Sequence, residues 1–238
     1  MRIIAVSDVH ASAGPSYQML DQRGCDRFCS FALKVPLLGD SLVIVGDLFD
    51  LTYYPIFVVP PSDEDLMSDA GGQGKQVCDT LAEVSRSVPV HYVLGNHDDW
   101  VTPQAVEKFM PGVHYHGLTV YNDCSSGTHF EHGHDFALFN APDLRIADYV
   151  PVGYFVSRYA ATGDARNEGH SPTIQEEVRE LVRVGTCKES ITEALLDVMA
   201  RKARIGDREP IHMPSYLWSG KATTPAEVKS KYQYLVSR

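Results

Sequence analysis

Short apolar runs alternate with polar punctuation through the first hundred residues. Ile3-Ile4-Ala5-Val6, Leu42-Val43-Ile44-Val45 and Val90-His91-Tyr92-Val93-Leu94 are rich in β-branched residues and bounded by Gly, Pro or Asp, the pattern of buried parallel strands. Asp21 to Leu37 predicts a helix between the first two, with Phe28, Phe31, Ala32 and Val35 as its inner face. Residues 52–74 break the pattern. Tyr53 to Pro61 is aromatic and punctuated by proline, Asp63 to Gly74 is acidic and glycine-rich, and together they predict a loop excursion. Leu118 to Tyr121 and Thr128 to Glu131 alternate again and predict a hairpin on a second sheet.

Beyond Ala141 the strand signal fades and helical signals take over. Pro172 and Thr173 with Glu176 form a capping box ahead of an apolar face of Ile174, Val178, Leu181 and Val182. Ile191, Leu195, Val198 and Met199, with Ala194 and Leu196, give a second face. Tyr149 to Val156 is apolar on nearly all sides, and Ala226 to Val236 reads as a last helix. The chain is thus expected to be α/β and one domain over 1–238, with a helical, cap-like insertion at 141–204.

The chemistry lies where the apolar runs end. Asp8-Val9-His10, Gly46-Asp47-Leu48-Phe49-Asp50 and Gly95-Asn96-His97-Asp98 follow the three strands, and Glu131-His132-Gly133-His134-Asp135 follows the hairpin. Open α/β sheets display functional groups at this carboxyl edge. Singly, each histidine reads as a hydrogen-bonded surface or core residue and each Gly-Asp as a turn; four such clusters in order read as a metal site. Carboxylate, imidazole and amide oxygens suit Mn, Fe, Zn or Mg. Asp8 and His10, two apart, point the same way in an extended chain and can reach one ion. Asp47, on the middle strand, is placed to bridge two ions, with Asn96 on the other. Two such ions polarise a phosphoryl group and generate a hydroxide nucleophile near neutral pH.

These ordered motifs resemble the calcineurin-like metallophosphoesterase superfamily: Asp-x-His, Gly-Asp-x-x-Asp, Gly-Asn-His-Asp and a His-containing fourth segment, over residues 8 to 135. The resemblance implies a four-layer sandwich of two mixed β-sheets flanked by helices, with two divalent metal ions at the strand ends. It puts Asp8 and His10 on the first metal, Asp47 on both, and Asn96 and His132 on the second, with His134 as a supplementary ligand. It makes His97 a catalytic non-ligand that stabilises the transition state or protonates the leaving oxygen, and Asp50 and Asp98 groups that orient histidines. The family's terminal Gly-His-x-His does not occur after residue 135; Gly169-His170 and Ile211-His212 lack the pattern. The expectation is that the chain stops before that motif, the alternative being a site built from other ligands. A partial similarity to the UDP-2,3-diacylglucosamine pyrophosphatases rests on residues 46–50 and the helical insertion. Those enzymes commonly carry Arg where this chain has His97, and His-Gly-Asp where it has His132-Gly133-His134.

The implied reaction is hydrolysis of a phosphomonoester, phosphodiester or pyrophosphate, with a small-molecule substrate and a lipid-linked one as a secondary expectation. Two alternatives stay open: a nuclease, and a non-catalytic scaffold that lost the fifth motif. A net charge of −10 over 238 residues argues against a broad nucleic-acid surface, leaving only a local patch at Arg201, Lys202 and Arg204. The five cysteines, Cys25, Cys29, Cys78, Cys124 and Cys187, are odd in number and lack a Cys-x-x-Cys pair, which suits a reduced cytoplasm. No apolar run approaches the roughly twenty residues of a membrane span, and no signal peptide precedes the first strand.

Overall fold

The computed structural model describes residues 1–13, 18–117, 120–137, 139–141, 150–166 and 191–232. Two compact units emerge, one from Met1–Leu51 with Pro61–Ala137 and another from Thr52–Pro60 with Leu138–Arg238. Eight α-helices occur among the described residues. No described helix is long and apolar enough to cross a membrane.

The first unit is built on a parallel sheet of β1 (Ile3–Val6), β2 (Ser41–Val45), β3 (Val90–Val93) and β4 (Val113–Tyr115), in that spatial order. Leu42, Ile44, Val90 and Tyr92 point to one face and are buried with Cys25, Cys29 and Ala32 of α1 (Gln22–Ala32), Val77, Cys78, Leu81 and Val84 of α4 (Gln73–Val84), and Ala105 and Val106 of α5 (Pro103–Phe109). A separate antiparallel pair, β5 (Tyr121–Asp123) and β6 (Thr128–Phe130), forms the predicted hairpin; Leu118 and Thr119 lie outside the described residues. Each described sheet is of one kind, where the resemblance implied mixed ones.

The first helix differs from its expected extent and face. Asp21 caps α1 by accepting from the Gly24 amide at 2.6 Å. The chain then breaks and restarts as the single turn α2 (Val35–Leu38), because Pro36 has no N–H to give back. The buried stripe runs through Cys25, Cys29 and Ala32, and Phe31 is exposed; small thiols fit the close approach of α4.

The expected loop over 63–74 is also corrected. Asp63–Ser68 is a helix, α3, begun by a capping box between Ser62 and Asp65. Its three acidic residues in the first turn are stabilised by the positive end of the helix. Gln73 and Gly74 already belong to α4. A Cβ at Gly74 would meet the Leu66 carbonyl oxygen at 2.4 Å, so glycine there permits α3 and α4 to pack.

In the second unit, α6 (Val152–Arg166), α7 (Ile191–Lys202) and α8 (Pro225–Tyr232) agree with helices read from the apolar pattern. The capping box at Thr173, the helix over 174–182, His170, Tyr149 and residues 233–236 lie outside the described residues. Arg201 and Lys202 occupy the last turn of α7, where cations complement the carbonyl end of a helix. Ile211 is buried and bridges to Thr223.

Arg158 organises this unit. Fully buried, it donates to the carbonyls of Tyr54, Pro55, Val58 and His212 and to the Tyr154 hydroxyl. One guanidinium therefore satisfies the carbonyls of the proline-rich segment 52–60, which could not pair in a sheet. The Ile56 amide adds a bond to Thr162 Oγ1 at 2.9 Å.

Two outcomes follow. Arg158→Met strands several buried carbonyls and should lower unfolding free energy by about 3 kcal/mol or more in urea, with Arg158→Lys recovering only part. His91, on β3, is pushed down to about 4 by burial and by His116 and His114. A folded pKa below the unfolded value means stability is present above pH 6.5 and is lost as pH falls towards 4. His91→Gln should flatten that part of a stability-versus-pH curve measured by urea titration.

Candidate metal centre

All the sequence-predicted site residues belong to the first unit, at the carboxyl edge of its parallel sheet. The chain leaves β1 and β2 through strained backbone: Asp8, His10 and Asp47 have φ of 58°, 55° and 53°, a region non-glycine residues seldom occupy. Asp8 and His10 therefore converge through this turn and not by strand alternation, as the extended reading supposed. The His10 amide donates to the Asp47 carbonyl at 2.9 Å and the Asp8 amide to the Gly46 carbonyl at 3.2 Å, so the first two loops hold each other.

Asp47 lies in the middle. Its Oδ2 is 3.7 Å from His10 Nε2 and 3.3 Å from His132 Nε2, while Oδ1 accepts the His97 amide at 2.9 Å. Asp8 Oδ1 stands 4.0 Å from His10 Nε2, and Asn96 Oδ1 stands 3.3 Å from His132 Nε2. His132 Nδ1 faces the Val45 carbonyl at 2.9 Å, which makes Nδ1 the protonated nitrogen and turns Nε2 toward Asp47 and Asn96. Two glycines make the approach possible. A Cβ on Gly46 would meet His132 Cγ at 2.4 Å, and one on Gly95 would meet Asp47 Oδ1 at 2.2 Å.

Asp50 is fully enclosed beside two histidines: its Oδ1 is 3.2 Å from His97 Nδ1 and its Oδ2 is 3.7 Å from His10 Nδ1. Asp98 has a different task from the one expected. Its carboxylate accepts from the backbone amides of Asp47, Leu48, Phe49 and Gly95 and from the Tyr92 hydroxyl, bonding to loops and not to a histidine. His134 is buried 5.5 Å, ring to ring, from His132, but its Nε2 approaches Asp99 Oδ1 at 3.3 Å, off the hydrogen-bond direction. Asp99 carried no separate motif; only its position directly after Asp98 could have pointed to it.

Charge follows this geometry. Burial works against the Asp47 and Asp50 carboxylates, yet the adjoining histidines hold both below the usual range. Burial likewise opposes charge on His97 and His132, but Asp50 raises His97 to about 9 and Asp47 raises His132 to about 9. Asp98 rises to about 7, first through burial and then through Asp47. Ligand atoms of Asp8, His10 and Asp47 all lie within 4.8 Å of one another, as do those of His10, Asp50 and His97. Asp47 and Asp50 are buried, His10 and His97 partly so, and Asp8 is exposed, so a proton or a cation placed among them offsets the buried carboxylates. The hard oxygens and imidazoles fit a divalent metal.

A parallel sheet with Asp, His and Asn at its carboxyl edge is the arrangement of a metallophosphoesterase. The chain belongs to the calcineurin-like phosphoesterase family, whose sequence model matches residues 1–183. Members of this family bind two divalent metals. Among curated proteins, the chain is similar to UDP-2,3-diacylglucosamine hydrolase of Porphyromonas gingivalis (strain ATCC BAA-308 / W83), with 28% identity over 95 residues. That alignment covers 40% of this chain and 32% of the relative's length.

Gly46→Ala tests the packing at the centre. With φ at +79° and a Cβ driven into His132, the substitution should cost roughly 1–3 kcal/mol and weaken Mn²⁺ binding about 10–100-fold. Urea unfolding and calorimetric titration read the two effects separately.

Proposed function

We propose that this protein is a dinuclear metal-dependent hydrolase of a phosphomonoester, phosphodiester or pyrophosphate. The observation that carries this reading is the placement of one Asp47 carboxylate oxygen within 3.7 Å of His10 and 3.3 Å of His132. Asp8, His10 and Asp47 would hold one cation, and Asp47, Asn96 and His132 the other. When bound, the pair would supply Lewis acidity at a phosphoryl oxygen and activation of a water.

The chain's own residues do the rest. Asp50 engages His97 Nδ1, leaving Nε2 as the nitrogen that gives a proton to the leaving oxygen or donates to the phosphoryl group. His97 raised to about 9 keeps that proton in place at neutral pH. The His97 amide bond to Asp47 Oδ1 ties acid and ligand into one frame. His134, its ring 5.5 Å from that of His132, would supplement His132 as a ligand.

The relative's name concerns a UDP-linked lipid sugar, so a UDP-sugar pyrophosphate belongs among the substrates to try. Cys25, Cys29 and Cys78 are buried on α1 and α4 without a disulfide among them, an arrangement that fits a reducing cytoplasm.

With Mn²⁺, the protein should hydrolyse p-nitrophenyl phosphate, bis-p-nitrophenyl phosphate or a UDP-sugar. Asp47→Ala should abolish turnover and weaken both metals. His97→Gln should keep both metals and lose roughly 10²–10⁴-fold in kcat. Metal loss in that variant would show His97 to be a ligand, and no hydrolysis of any of the three with metal bound would leave the scaffold reading.

A further inference from the structure

The face of the parallel sheet opposite α1, α4 and α5 carries a group of three histidines. His91 of β3 and His114 of β4 are direct partners in the ladder. His116 follows two positions later, and its amide bond to the Tyr92 carbonyl at 2.8 Å continues the ladder, so it projects from the same side as His114. His91 Nδ1 and His116 Nε2 are 3.0 Å apart. The His91 ring stacks on His114 at 5.1 Å and on Tyr121 at 4.1 Å.

We propose that His91, His114 and His116 form a transition-metal site, taking Zn²⁺, Cu²⁺ or Ni²⁺, separate from the candidate active centre. Two imidazole nitrogens each about 2.0–2.1 Å from one ion stand roughly 2.9 Å apart at a right angle and about 3.3 Å at a tetrahedral one. The 3.0 Å between His91 and His116 already lies in that interval, with a single proton between the two nitrogens. A shift of that proton to the ring's other nitrogen, with a turn of both rings that swings the lone pairs from each other toward a common point, makes the two nitrogens a ligand pair. The His114 nitrogens lie outside ligand distance as placed; its side chain is exposed, and the proposed site requires it to turn toward the pair as the third donor.

The surroundings favour a cation of this kind. Burial, His116 and His114 keep His91 neutral at pH 7, and burial and His114 lower His116 in the same way; neutral imidazole is the ligand form. Asp123 of β5 is the acid that acts on His91 from the neighbouring hairpin, and Tyr121 roofs the pair. Imidazole suits Zn²⁺, Cu²⁺ and Ni²⁺ better than Mg²⁺ or Ca²⁺. His91 projects from the strand face, whereas Asn96 lies in the loop beyond the end of β3 at Val93, so the two sites are at different places on the sheet.

Copper reads the site directly. Cu²⁺ is added in equimolar amount to the full chain and to Asp47→Asn, His91→Gln, His114→Gln and His116→Gln, with nitrogen couplings measured by EPR and affinity by chelator competition. Imidazole couplings should persist in Asp47→Asn. Affinity for that equivalent should fall at least tenfold in His91→Gln and His116→Gln, and less in His114→Gln, with circular dichroism unchanged. Unchanged couplings and affinity in His116→Gln overturn the proposal even if His91→Gln fails to fold. So does loss of all imidazole couplings in Asp47→Asn, which would place the copper at the active centre.

Discussion

The loops after β2 and β3 are joined by a carboxylate that never meets water. Asp98 accepts three consecutive amides from Asp47 to Phe49, the amide of Gly95 and the hydroxyl of Tyr92. Hydrogen bonds to a buried charge are strong, and here they are spent on backbone. Asp47 can be held among His10, His97 and His132 only because its own peptide is fixed from beneath. Tyr92 links this hub to the core, since its ring is buried with the residues of α1 and α4 while its hydroxyl reaches Asp98. Packing on one face of the sheet thereby sets ligand positions at its end.

Much of this was legible in the amino-acid pattern. The three strands, their polar ends and the order of the clusters are visible because period and punctuation agree locally. What escaped depends on partners distant in sequence. β4, Val113-His114-Tyr115, has the same tripeptide that opens β3 but is only three residues long, too short to stand out as a run; pairing with β3 makes it a strand. Of the inner face expected from Phe28, Phe31, Ala32 and Val35, only Phe31 is exposed; Cys25 and Cys29 complete the buried stripe, thiols whose small size hides them among polar neighbours in the sequence. Acidic residues at 63–65 looked like loop but serve as the first turn of α3. Arg158 resembles any helix-surface arginine until the carbonyls of residues 54–58 are seen around it.

At the centre itself, the polar clusters named in the sequence come together, but their connections differ from a simple strand-end reading. Asp50 reaches two histidines, whereas Asp98 serves backbone and Asp99 takes His134 as its partner. The reason is geometric. A strand end that turns through left-handed backbone sends successive side chains in directions that a period of two does not describe. The same strand, β3, shows the contrast within a few residues: Tyr92 points to the helices, His91 to the other face, and Asn96 to the metal edge.

The left-handed residues carry one more implication. Asp8, His10 and Asp47 each hold a conformation that costs of order 1–3 kcal/mol for a side-chain-bearing residue, and glycine would adopt it freely. Selection for foldability alone would therefore push glycine into all three positions. Aspartate and histidine at these positions set chemistry against backbone ease, so a redesign aimed only at thermal tolerance would erase this edge first.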